Sequence, residues 1–437
     1  MLESYVMLPI IMCILSLLIA FPIGKAFKAS LTLGIGFIGI FIIFNHFISY
    51  IGPALEKIIQ RTGLSQNVLD IGWPPLAATA WSFKFATILV VLLLLTNGVM
   101  LVFKWTQTVN IDIWNYWHFI FTSQMVYEIK GNLFLALVAG VLSSIICLKL
   151  ADWSAEKVKD FSEMEGISIT TLSAISYYPF GIIGDKIIDR IPYVRNIKAD
   201  PVSIQEKLGI LGEPMILGLI MGMGVGIAAG YPASEVLTLA FNIAAVVYLL
   251  PKMAGILGEG LMPISSAMQG FIKRKFPQVQ NTYIGLDLAV IVGNPAAVVT
   301  GILMMPIALL LAFLLPGVRF IPLGDLPNIM GAMVLVVLAV RGNVIRAIII
   351  GIPIIAGKLY AASFMASTYT SMIQKTSIEI QGYNGIITSF LDGGNLLRVW
   401  LVQLFSGEIW AFVCIPFVAL LFYFTKKESC YKNSSIS

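Results

Sequence analysis

Apolar stretches long enough to span a bilayer recur along the whole chain. They fall at about 7–24, 31–52, 85–103, 132–149, 209–230, 235–257, 285–315, 327–340, 343–360 and 399–424, most of them near the roughly 20 residues that cross the hydrocarbon as a helix. The aromatic stretch 111–127 and the segment 166–184 add one or two more, so the pattern predicts ten to twelve spans and an all-α polytopic membrane fold. One span breaks its own pattern: GLDLAVIVGNPAAVVTGILMMPIAL, 285–309, opens on Asp287 and is interrupted by Gly293, Asn294 and Pro295. Proline lacks the backbone donor and clashes with the preceding turn, so a discontinuous helix is expected there.

Two segments interrupt the rhythm. Residues 150–208 open ADWSAEKVKDFSEMEG, close DRIPYVRNIKADPVSIQEKLG and mix both signs of charge. They are expected to be mainly cytoplasmic, with an amphipathic helix at the membrane surface. Within them ISITTLSAISYYPFGIIG is polar but uncharged, which suits a re-entrant segment packed against protein. Residues 361–395, AASFMASTYTSMIQ and then YNGIITSFLDGGN, are rich in Ser, Thr and Gly. Aromatic and branched residues run through both segments, unlike disordered chain. Irregular backbone at membrane depth persists only where protein or a water-filled cavity satisfies it, which points to the interior of a transporter or channel.

Composition supports the membrane: 58% of residues are hydrophobic and 12% charged, against about 25% charged in a soluble domain, and the mean hydropathy is +0.90. The first apolar stretch has no basic n-region and no small-residue cleavage site, so it reads as a retained helix, and residues 1–437 read as one integral-membrane domain. Cys13, Cys147, Cys414 and Cys430 are scattered, as buried small hydrophobes are, and suggest neither a disulfide framework nor a zinc site. The net charge of +5 lies in loops between apolar spans, where basic residues report topology and not nucleic-acid binding. Lys25 and Lys28 follow the first span and only Glu3 precedes it, which places the N-terminus outside. Lys149, Lys157 and Lys159, then Lys273, Arg274 and Lys275, and finally Lys426 and Lys427 mark inner loops and a cytoplasmic tail, 426–437. Those two ends require an odd number of spans, and eleven fits.

Several polar residues are candidates for chemistry. An unpaired carboxylate at the bilayer centre costs on the order of 2.5–3.5 kcal/mol, so Asp287 either caps a helix near the headgroups or faces a partner or cavity. With the Asn294 amide and the backbone groups freed by the break, it would form a pocket for an uncharged polyhydroxylated ligand, because each hydroxyl both donates and accepts. His118, in VNIDIWNYWHFIFTSQ, is one of two histidines; it is either a satisfied structural residue or a group that bonds a hydroxyl or takes its proton. Trp114 reads as part of an interfacial belt. Trp73, beside Pro74 and Pro75 in VLDIGWPPLAATAW, offers an indole face for the apolar side of a polyol. ILGEPM, 210–215, and ILGEGLM, 256–262, form an internal echo with Glu213 and Glu259 as carboxylates at helix ends, Glu259 facing a loop; carriers are often built from inverted repeats with broken helices. IPLGDLPNI reads as a tight turn capped by Asp325, and FLDGGNLLR as a Gly-rich turn. No phosphate loop, HExxH motif or serine elbow is present, which argues against ATP hydrolysis and proteolysis.

The strings GIGFIGI (34–40), LDIGWP (69–74), VNIDIWNYWHFIFT (109–122), EMEGISI (163–169), GEP (212–214), IGLD (284–287), IPLGDL (321–326), RGN (341–343) and LDGGN (391–395) together resemble the galactitol permease family. These are the membrane-embedded IIC components of the bacterial phosphoenolpyruvate-dependent sugar phosphotransferase system, in a superfamily with the ascorbate permease, and the resemblance runs in order through nearly the whole chain. It implies a homodimer with about eleven helices per subunit, a core domain holding the substrate, a V-shaped dimerisation domain and elevator-like movement. It implies a IIB partner whose phosphocysteine donates the phosphoryl group, fed by IIA, with no cofactor, no metal and no phosphorylation site in this chain. Carried over by position, it places Asp287, Asn294 and His118 near the substrate; Thr171, Gly36, Trp73 and Glu213 are taken beside them as further candidate substrate-side positions. This chain departs from the family in having Thr171 in EGISITT, and Asn294 in GNPA, where galactitol permeases carry histidines; both swaps remove a ring that could bind a hydroxyl. A site fitted to one hydroxyl pattern rejects others strongly, so the departures bear on the substrate. The competing reading is an ion-coupled carrier of a polyol or sugar, with Asp287 and Glu213 titrating; an intramembrane lipid enzyme lacks any nucleophile or metal constellation.

Overall fold

The computed structural model describes residues 4–62, 68–162, 164–197, 199, 210, 213–275, 282–322, 324–375 and 385–431, and every apolar stretch of the sequence contains helix. The first half holds α1 (Ser4–Leu18), α2 (Ile23–Thr62), α3 (Trp73–Trp81), α4 (Ala86–Val102), α5 (Trp117–Lys130), α6 (Leu133–Ser162), α7 (Leu172–Ile175) and α8 (Tyr178–Ile188). The second holds α9 (Pro214–Ala228), α10 (Ala233–Lys275), α11 (Ala289–Val292), α12 (Pro295–Leu314), α13 (Ile329–Ala339), α14 (Val344–Gln374), α15 (Leu396–Phe405), α16 (Ile409–Val413) and α17 (Ile415–Tyr431). Among the described residues four helical stretches are long and apolar enough to cross a membrane, namely α6, α12, α14 and Ile409–Ser429; the pair α3–α4, bent by 92°, has the form of a broken span or a re-entrant loop.

Sequence chemistry explains where these helices begin and end. Asn294, Asn343 and Asn395 each accept a backbone N–H from the first turn of α12, α14 and α15, the usual role of asparagine at a helix start. The break expected at 293–295 is present: α11 stops at Val292 and α12 starts at Pro295. Helix α13 is buried at every position, so it is the central post of the structure, as a helix apolar on all sides must be. Gly301 of α12 lets the two helices touch, since a Cβ there would lie 2.3 Å from the Cβ of Met330.

The fold is not purely helical. Five short strands form two parallel sheets: β1 (Val68–Asp70) beside β5 (Ile386–Thr388), and β2 (Thr108–Asn110), β4 (Tyr283–Leu286) and β3 (Ile167–Ile169) in the order β2–β4–β3. Thr108 pairs with Tyr283, Ile167 with Ile284, and Val68 with Ile386. At three or four residues each they are too short to show a period, and helices cover them, as parallel sheets require. Gly285 sits in the central strand, where a Cβ would come within 2.6 Å of Thr170 Cγ2 and 2.9 Å of Thr108 Cγ2.

One sequence expectation changes and one segment gains detail. Helix α6 continues past residue 150 to Ser162 with Ala151, Ser154, Ala155 and Val158 buried, and β3, α7 and the buried start of α8 follow. Glu259 is not at a helix end but exposed within the long α10. Helices α1, α2, α9 and α10 pack mainly on one another, apart from the strands and from α13.

Candidate functional site

All five strands stop at polar turns, and the turns after β2, β3 and β4 build one centre. Beyond β2 the chain runs through Asp112 into a 3-10 turn, Trp114–Tyr116, which leads directly into α5. Asn110 fixes this turn, its side-chain oxygen accepting from the Asp112 amide (3.2 Å) and from Thr170 Oγ1 (3.2 Å). Asn97 of α4 pairs with both the Thr108 carbonyl (2.9 Å) and the Asn110 amide (3.0 Å), closing the open edge of β2.

In the centre itself Asn115 is the hub. Its Nδ2 donates to Asp112 Oδ2 at 2.6 Å, to Asp287 Oδ2, and at 3.3 Å to Thr171 Oγ1. Asp287, directly after β4, accepts the Ala289 amide at 2.7 Å on Oδ1 and Thr171 Oγ1 at 3.3 Å on Oδ2, while Thr171 Oγ1 accepts the Leu288 amide at 2.9 Å. Asp287 therefore caps α11 and belongs to a cluster at once. Two carboxylates repel each other here, and the amide between them donates to both. Asp112, Asn115 and Thr171 are buried whereas Asp287 is half-buried, so Asp287 is the side from which a ligand can approach.

His118 lies three residues after Asn115 on the same helical face. Its ring stacks on Trp117 at 3.9 Å, and Trp117 stacks on Trp73 at 6.1 Å. Its Nδ1 stands 2.9 Å from a guanidinium nitrogen of Arg398 and 3.1 Å from Asp392 Oδ1. Asp392 comes from the loop after β5 and Arg398 from the first turn of α15. Asp70, at the end of β1, accepts the amides of Gly72, Phe390 and Asp325, and Asp325 accepts those of Trp73 and Leu391 and the Ser389 hydroxyl. Lys358, wholly buried, donates to Tyr177 Oη (2.9 Å) and the Leu391 carbonyl (2.8 Å). Gly394 makes room for this lysine's backbone, since a Cβ there would lie 2.5 Å from the Lys358 carbonyl oxygen.

The structure thus joins Asp287 with Thr171 and puts His118 and Trp73 on neighbouring turns. Asn294 stands apart: Oδ1 accepts the Ala296 amide at 2.9 Å and Nδ2 donates to the Phe161 carbonyl at 3.4 Å. Gly36 is buried within α2, and Glu213 begins α9 with no side-chain capping bond; no described hydrogen bond ties either to the cluster. Sequence reasoning missed Asp112, Asn115, Asp392, Arg398 and Lys358. The last two carried a usable signal, because a cation within or beside an apolar span is functional by default. A separate cavity of about 460 Å³, lined by residues such as Phe180, Phe364, Trp400 and Phe417, is too apolar to satisfy a polyol's hydroxyls.

Polar turns gathered at the ends of broken helices and buried strands, inside an apolar helical shell, are the arrangement a membrane permease uses at its binding site. The family model for the PTS system sugar-specific permease component, EIIC-GAT, matches residues 2–382, and the chain belongs to that family. It is 33% identical over 424 residues to a putative permease IIC component of Escherichia coli K12, covering 97% of each chain. It is 34% identical over 403 residues to the galactitol-specific EIIC components of E. coli K12 and O157:H7, covering 92% of this chain and 89% of theirs. The protein is accordingly an integral-membrane permease of the sugar phosphotransferase system, working with IIA and IIB components, and this membership disfavours the ion-coupled alternative.

Proposed function

We propose that the chain carries galactitol, or a sugar alcohol closely related to it, across the cell membrane for phosphorylation by phospho-IIB. The observation that carries this reading is the half-buried Asp287, backed by Asp112 through Asn115 and Thr171. A carboxylate accepts from two hydroxyls at once, and neighbouring amide and hydroxyl groups complete an arrangement suited to an uncharged polyol. The similarity to galactitol-specific components supports the substrate.

In the reaction a substrate hydroxyl oxygen attacks the phosphorus of the IIB phosphocysteine, the S–P bond breaks, and the thiolate leaves. The hydroxyl proton passes to a base, for which the site offers Asp287 and His118. Such transfers need positioning and charge stabilisation more than covalent help. The product carries about two negative charges and is repelled by the Asp112–Asp287 pair, which makes uptake one-way.

On this reading the polypeptide has about eleven spans, an outside N-terminus and an inside C-terminus. Helices α1, α2, α9 and α10 form the dimerisation domain of a homodimer, and the remainder is the core domain that moves in an elevator-like manner. The test is uptake of labelled galactitol in cells without other polyol carriers, with and without the cognate IIB. Phosphorylated label inside, lost when IIB is removed, is expected; free galactitol accumulating without IIB would overturn group translocation.

A further inference from the structure

Arg398 is wholly buried, and its guanidinium is held in an unusual way. Nη1 donates to the Asp392 carbonyl at 2.5 Å and to Asp392 Oδ1 at 3.3 Å; Nη2 reaches Oδ1 at 3.4 Å and His118 Nδ1 at 2.9 Å. Its Nε, also buried, has no hydrogen-bond partner among the described residues. A buried ion pair rarely adds stability over an apolar replacement of the same volume, and an unpartnered donor makes this one costlier still. Stability is therefore a poor account of why a guanidinium and a carboxylate lie here.

The pair acts on His118. Arg398 is an obligate donor and Asp392 an acceptor, and both lie within reach of Nδ1, at 2.9 and 3.1 Å, so Nδ1 either accepts from Arg398 or donates to Asp392 and is held in either case. Stacking on Trp117 fixes the plane of the ring, and the grip on Nδ1 fixes its rotation, so the direction of Nε2 is determined. Among the described residues no protein group bonds Nε2. Because His118 follows Asn115 by three residues on one helical turn, the ring shares a face with the amide that joins Asp112 to Asp287.

We propose that Asp392 and Arg398 are positioning residues that grip Nδ1 of His118 and direct Nε2 to hydrogen-bond one hydroxyl of the substrate bound at Asp287. This rests on the polyol reading of the Asp287 site. It assigns a role to Asp392 of the loop after β5 and Arg398 of α15, which lie beyond residue 382, where the family match ends. The pair acts on substrate through His118 alone, which makes its effect conditional on that ring.

The experiment uses the full chain in lipid nanodiscs, with two readouts. Galactitol affinity is measured by calorimetry for the wild type, His118→Gln, Arg398→Lys and the double variant. Each single change is expected to weaken binding about tenfold, the worth of one hydrogen bond, and the double variant to bind no more weakly than His118→Gln, because the two act through one contact. Additive losses, or unchanged affinity in Arg398→Lys, overturn the proposal. The second readout needs no ligand: 15N-histidine spectra, simplified by His46→Gln because the chain has only two histidines, are expected to show one fixed tautomer of His118. Averaging of the two tautomers in otherwise wild-type protein overturns the proposal even if Arg398→Lys does not fold. Absence of galactitol binding by a wild type whose His118 is fixed counts instead against galactitol as the substrate.

Discussion

Asn115 shows what a single residue contributes to the site. Its two amide hydrogens lie between Asp112 and Asp287, so leucine would leave the two carboxylates facing each other without the amide that joins them. Asn115→Leu is expected to lower stability by about 1–3 kcal/mol, the cost of unsatisfied buried acceptors, and to reduce polyol uptake by more than tenfold at equal amounts of protein in the membrane; uptake near the wild-type level would show that the hub is dispensable. Asp287 was legible in the sequence because a charge at the head of an apolar span demands a reason. Asn115 was not, because it sits in an aromatic string where an amide signals nothing until β2 and β4 are brought side by side. At Asn294 the sequence carries two meanings, since asparagine before proline is a helix-capping pattern as well as a possible ligand, and its oxygen accepts the Ala296 amide.

Among elements, the contact of α12 with α13 decides how rigid the core is. Gly301 abuts the backbone of Met330, with a Cβ position only 2.6 Å from Met330 Cα, so a larger residue must push whole helices apart and not merely turn a side chain. Gly301→Leu is expected to destabilise the protein by about 1–3 kcal/mol, as overpacking does, whereas Gly24→Ala, with no atom within 4 Å of its Cβ position, is neutral or slightly stabilising. Thermal inactivation of the two purified variants in one detergent separates them, and equal midpoints would count against the close contact. Helices and the break before Pro295 were readable because proline and 20-residue apolar runs act locally. The strands were not: a run such as Ile167–Ile169 derives its conformation from a partner more than a hundred residues away.

For the whole molecule the revealing quantity is helix length. Helices α2 and α10 hold 40 and 43 residues, about 60 Å or more at 1.5 Å per residue, twice the hydrocarbon thickness of roughly 30 Å, so neither can stand upright as a simple span. They pack on each other and leave a continuous exposed face on α2, including Ile23, Phe27, Leu31, Ile35 and Ile42, at the spacing of one helical stripe. Lipid and protein would cover such a stripe equally well by composition, but they answer differently to truncation. Against lipid, shortening a side chain costs little because acyl chains fill the space; against protein it removes packing that nothing replaces. On the dimer reading, native mass spectrometry from nanodiscs should find two copies of the full chain, and Phe27→Ala with Leu31→Ala should shift the population to monomer by about 2–5 kcal/mol for each large-to-small change at a packed contact. Wild-type protein that is monomeric and still takes up substrate would mean that the stripe faces lipid and that the long helices serve the core alone.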